Sequence, residues 1–171
     1  MSAQSQGIVG LGVDIVEIDR MAKALERHPR IKERVFSQSE RDYCEKRSRP
    51  EVHYALRFAA KEAVLKALGT GFSGMLFRDV EVVREDSGRP VPVLHGAAAA
   101  RAADLGIIEM HLSLSFTHST AVASAVAITE GARPRKEERK DPMQELARSF
   151  KEARGMLDAI GSPEESESSG S

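Results

Sequence analysis

A chain of 171 residues, 41% hydrophobic and 30% charged, is long enough for one globular core with an appendage and too short for several domains. A formal net charge of −1 excludes attachment to nucleic acid through an overall basic field, and no run approaches the roughly 18 apolar residues of a membrane span. One cysteine, Cys44, excludes an internal disulfide, and the N-terminal MSAQSQ has neither a charged region nor an apolar one, so the expectation is a cytoplasmic protein that binds neither nucleic acid nor membrane.

The segment IVGLGVDIVEI predicts a strand at about residues 8–14 that passes into a helix over Glu17–Leu25, which places Asp14 near a strand end. A short piece around Arg34–Phe36 follows, then a helix capped by Ser37 or Ser39 that runs through Lys46. Pro50 suits the first turn of a long helix, and Gly69 suits its end. Alternation in DVEVVRED and VPVLH on either side of DSGRP predicts a hairpin over 79–95. GAAAARAADLG reads as a short helix closed by Gly106, and the stretch through residue 129 as two antiparallel strands with a polar turn at 116–120. The order βααα–ββ–α–ββ predicts an α+β fold with a largely antiparallel sheet packed on the long helix.

Composition changes after Glu130. The charged segment 131–140 reads as a linker and residues 162–171, almost without apolar side chains, as a disordered tail. Between them, 141–161 reads as an amphipathic helix, with Met143, Leu146, Phe150, Ala153, Leu157 and Ile160 at spacings of three and four. It either packs back on its own domain or docks on another protein or subunit.

The chemistry concentrates in RFAAKEAVLKALGTG at 57–71. Its apolar residues spread around nearly the whole circumference, as in a helix covered on most sides, so its charges interrupt an apolar surface. Glu62 and Lys66, four apart, can simply pair, whereas Arg57 and Lys61 are two like charges at the same spacing that a bound anion would reconcile. One carboxylate beside several cations suits phosphate chemistry with a divalent metal, and Asp14 offers a second hard ligand.

GLGVDIVEIDR at 10–20, RVFSQSE at 34–40, RFAAKEAVLKALGTG at 57–71, DSGRP at 86–90 and HLSLSFTHSTAVASAVA at 111–127 resemble, in order and spacing, the holo-[acyl-carrier-protein] synthases, the short 4′-phosphopantetheinyl transferases. The resemblance spans residues 7–130. It implies transfer of 4′-phosphopantetheine from coenzyme A to a serine of apo-acyl carrier protein in fatty acid biosynthesis, with Mg²⁺. Asp14 and Glu62 are then the metal ligands, Lys66 stabilises the leaving phosphate, and Arg57 and Lys61 contact phosphate or nucleotide groups of coenzyme A; Ser115, which alternates onto one face with Ser113 and His111, either bonds phosphate there or satisfies the polar side of the strand. The serine proton goes to a metal-bound water or to Glu62. Arg20 and the basic first helix meet the acidic carrier protein. The family also implies a homotrimer whose sites lie between subunits. One departure is Phe116, where the family carries a histidine; two residues on, His118 either points the same way in an extended segment and partly replaces it, or is an ordinary exposed histidine of the turn. Phe116 and the additional helix also admit an alternative, a catalytically weakened scaffold that binds coenzyme A or carrier protein.

Overall fold

The computed structural model describes residues 8–69, 74–132 and 142–160. The chain divides into two compact units, Met1–Arg133 and Pro134–Ser171.

The first unit is built around α4 (Pro50–Ala67), an 18-residue helix buried on most of its circumference. Proline in its first turn costs no hydrogen bond that the helix would otherwise make, and Gly69, at φ +70°, supplies the left-handed residue that ends it. One side of α4 packs on an antiparallel sheet in the order β1–β5–β4, comprising β1 (Ile8–Glu17), β4 (Ile107–Phe116) and β5 (Thr120–Thr129). The segment TAVASAVAIT turns Ala121, Ala123, Ala125 and Ala127 towards the core, all fully buried. Methyl-sized side chains let the helix lie close to the central strand. On β1 the approach is closer still: a Cβ at Gly10 or Gly12 would sit 1.8 Å from the carbonyl oxygen of Ala67 or Ala63. Only glycine fits there.

The opposite side of α4 is covered by α1 (Ile18–Arg27), α2 (Ile31–Val35) and α3 (Gln38–Glu45), with Phe36, Tyr54 and Ile18 filling the space between. Ser37 caps α3 in a reciprocal capping box with Glu40. The hairpin of β2 (Val80–Arg84) and β3 (Pro90–Leu94) and the helix α5 (Gly96–Asp104) complete the unit.

The α+β fold agrees with the sequence reading, with two local differences. β1 continues three residues past the expected end, because β-branched Ile15 and Val16 stay paired with Val122 and Ala121; Asp14 is therefore inside the strand, opposite Ala123. The short piece before Ser37 is a helical turn of its own, α2.

In the second unit the described element is α6 (Pro142–Ile160), whose Leu146, Phe150 and Leu157 are exposed. The segment read as a linker lies almost wholly outside the described residues, and the segment read as a tail entirely so.

Candidate active site

Alternation along β1 turns Gly10, Gly12 and Asp14 to the helix and Leu11, Val13 and Ile15 to the outside. The two glycines bring the backbones together, and the next inward position delivers a carboxylate beside Glu62 and Lys66. Lys66 Nζ donates to Asp14 Oδ1 at 2.8 Å and to the Val13 carbonyl at 2.9 Å, so its first partner is across the interface and not the neighbouring Glu62. Burial raises the Glu62 carboxyl above its ordinary range; the charge of Asp14 and a hydrogen bond shared with it raise it further, against the pull of Lys66. Two carboxylates held this closely repel each other unless a proton or cation lies with them.

The donor set is two hard oxygen ligands, and among the described residues no group of three or more His, Cys, Asp or Glu converges. That suits Mg²⁺, which keeps several waters and takes one or two carboxylates together with substrate phosphates. Asp14 and Glu62 open into a cavity of about 360 Å³, whose wall continues through Phe58, Met21 and Ile31 to Arg20.

A second cavity, of about 600 Å³, gathers Arg57, Phe116 and Ser113 with Arg47, Arg84 and Tyr43. The Tyr43 ring has the guanidiniums of Arg57, Arg47 and Arg84 at 3.9, 4.3 and 5.6 Å from its centroid. Burial, and after it the charge of these three guanidiniums, holds the His53 imidazole below its ordinary pKa. Arg57 is buried, and its Nε has no hydrogen-bond partner among the described residues. Guanidiniums that line a cavity with no acidic partner among the described residues make a receptor for an anion such as phosphate. Arg47, Arg84 and Tyr43 escaped the sequence reading, because they come from α3's C-terminal flank, β2 and α3 and meet only in the folded chain.

Lys61 corrects that reading. It is fully buried and carries no surface for coenzyme A: its Nζ is 2.8 Å from Glu40 Oε2 and donates to the carbonyls of Phe77 and Val80. Glu40 is equally buried, accepting from the Val82 amide at 2.9 Å and the Ser37 amide at 2.8 Å. Burial depresses the Lys61 pKa and Glu40 opposes that, so this buried pair ties α4 to α3 and β2. The expected alignment of His118 with Phe116 also fails. β4 ends at Phe116, and the Thr117 amide bonds the Thr120 carbonyl at 2.8 Å across a tight turn; His118 is exposed on that turn and does not line the second cavity. Ser115 is exposed on the strand just before it.

The two cavities belong to opposite edges of the sheet, the carboxylates to β1 and Phe116 to β4, with β5 between. The outer face of the sheet is open and largely apolar along β1, where Leu11, Val13 and Ile15 stay exposed opposite Val126, Ser124 and Val122.

The sequence matches the 4′-phosphopantetheinyl transferase superfamily over residues 10–125. It is 47% identical over 121 residues to a holo-[acyl-carrier-protein] synthase of Moorella thermoacetica, covering 71% of this chain and 93% of that one. With the corresponding protein of Streptomyces griseus the identity is 48% over 124 residues, with coverage of 72% and 99%. Among solved structures, a Bacillus anthracis holo-(acyl-carrier-protein) synthase in complex with CoA (3′,5′-ADP) superposes with a TM-score of 0.60 at 36% identity, covering 72% of this chain and 98% of that one.

Proposed function

The chain belongs to the 4′-phosphopantetheinyl transferase superfamily and, within it, to the holo-[acyl-carrier-protein] synthases, and from that premise we propose that Asp14, Glu62 and Lys66 are its catalytic centre. The enzyme transfers 4′-phosphopantetheine from coenzyme A to a serine of apo-acyl carrier protein, giving holo-carrier protein and adenosine 3′,5′-bisphosphate, for fatty acid biosynthesis. The observation that carries the site assignment is the contact of two carboxylates and one ammonium at the mouth of a cavity.

Asp14 and Glu62 would hold Mg²⁺, whose positive charge would offset that of the pyrophosphate. The seryl oxygen forms a bond to the β-phosphorus as the bond to the bridging oxygen of the α-phosphate breaks, so the chain's task is placement and charge neutralisation. The seryl proton passes to Glu62 or to water that it holds. Lys66, half-exposed, turns its ammonium to the leaving phosphate. Arg20, on the wall of the same cavity, and the basic face of α1 receive the acidic carrier protein, an association that weakens with salt.

Arg57, with Arg47 and Arg84, takes the phosphate-bearing nucleotide end of coenzyme A. The carboxylates and the arginines lie at opposite sheet edges, so a complete site requires the β1 edge of one copy beside the β4 edge of the next. Such head-to-tail contacts close into a ring when the rotation between copies divides the full circle. A homotrimer through the open face of β1 and β5 satisfies this and covers Leu11, Val13 and Ile15. The catalytic unit is 7–130, and residence in the cytoplasm accords with an unpaired, buried Cys44 and with described helices none of which is long and apolar enough to cross a membrane.

The test is incubation with coenzyme A, Mg²⁺ and an apo-acyl carrier protein, followed by the intact mass of the acceptor. Addition of one phosphopantetheine, lost on chelation and restored by Mg²⁺, is expected. Coenzyme A binding without transfer would favour the weakened scaffold that Phe116 suggests.

A further inference from the structure

We propose that α6 is one strand of a parallel three-helix coiled coil formed by three copies of this chain, an inference that rests on the trimer proposed above. Met143, Leu146, Phe150, Ala153, Leu157 and Ile160 advance by three, four, three, four and three residues along the 19-residue helix. This is a strict heptad seam, narrower than the apolar stripe of a helix that packs into a globular core. Exposures of 54% at Leu146 and 69% at both Phe150 and Leu157 leave the seam open to water.

The flanking positions favour three strands over two. Ala147, Ser149 and Met156 are uncharged and Arg154 alone carries charge, so no set of flanking ion pairs selects a two-stranded register, and Leu157 followed by Ile160 along the seam is the order that shifts a coil from two strands to three or more. Met156 is 68% exposed and widens the apolar face on the side a third strand would cover. Acidic Glu145, Glu152 and Asp158 against basic Arg148, Lys151 and Arg154 give three of each sign and no net charge, so parallel copies do not repel.

The seam of one 19-residue helix is a short interface beside the ~800 Å² per partner of a self-sufficient one. Association therefore depends on copies already held together, which raises their effective concentration to the millimolar range. The exit of the chain supplies this. β5, the central strand of the open face, runs into the turn at Glu130–Ala132, and nine residues, 133–141, lead to α6. Nine residues span at most about 30 Å, and in a three-fold assembly the three exits are equivalent about one axis.

The experiment uses the full chain. Leu146→Cys on the seam is compared with Arg148→Cys on the outer face, both under mild oxidation, with chain mass measured by light scattering; Cys44 is fully buried and stays out of the reaction. Expected are a three-chain mass for both variants and, for Leu146→Cys alone, disulfide dimers that hold about two-thirds of the chains, since two of three thiols can pair. Phe150→Glu with Leu157→Glu, added to Leu146→Cys, abolishes the cross-link and leaves mass and transfer unchanged. A three-chain mass with no preference for position 146 overturns the coiled coil and leaves the trimer standing. Complete cross-linking at 146 overturns the third strand, and a single-chain mass overturns both proposals.

Discussion

Glu62 sits half-buried against a second carboxylate, an arrangement that costs folding energy and that the proposed metal site would explain. Glu62→Gln removes the repulsion and keeps the shape, so transfer falls by roughly 10²–10⁴-fold while the melting temperature holds or rises. Assay and thermal melting on one preparation check both; a fall in stability would show that Glu62 is structural. Asp14, Glu62 and Lys66 were legible as residue types suited to phosphate chemistry, because a carboxylate and an ammonium four apart on an apolar helix need a reason to be there. Lys61 was not. Its partner, Glu40, is 21 residues away in sequence, and a helical wheel shows the direction of a side chain without showing what will cover it. Of the two readings of His118, the exposed turn holds and the alignment with Phe116 fails for a related reason: alternation holds only while the strand lasts, and this one stops at Phe116.

Between elements, the decisive contacts are those that set α4 against its neighbours. Lys61→Met leaves Glu40 buried without its cation and is expected to destabilise the fold by about 3–5 kcal/mol, whereas Lys61→Met with Glu40→Leu recovers most of the loss. Urea titration of the two variants measures this; equal losses would mean that the pair is not coupled. Gly12→Ala drives a methyl into the Ala63 carbonyl, so β1 must move off α4 and take Asp14 with it. Transfer and melting temperature should fall together. A third tie joins α3 to β2. Glu81 accepts from Ser39 at 2.6 Å and Ser37 at 2.7 Å, and these bonds hold its carboxyl below its ordinary 4.5. The stability they add is present above 4.5 and lost as pH falls through the lowered value, so Glu81→Gln should flatten the acid limb of a stability profile taken between about pH 5 and pH 3. An unchanged limb would assign acid sensitivity elsewhere. Elements were readable from periodicity and caps, and β1 was cut short because GVDIVEI satisfies a strand and a helix start equally well until Ile15 and Val16 find partners on β5.

For the whole molecule, the sheet has two chemically different edges and one uncovered face. None of this was readable from periodicity, since edges and faces exist only once strands are ordered; the trimer came from resemblance alone. Ile15→Asp places a charge in the middle of the open face and is expected to yield monomers without transfer activity, to be read by light scattering and assay; active monomers would put the whole site in one chain. The most direct measurement is complementation between two inactive variants. Glu62→Gln removes the β1-edge half-site, and Arg57→Met removes the β4-edge half while keeping an apolar stem over Tyr43. Co-expressed at equal levels, they form rings in which about a quarter of the interfaces unite an intact half from each chain, so transfer should return to about a quarter of the unmutated rate. Activity that stays at the level of the separate variants would contradict a site shared between neighbours.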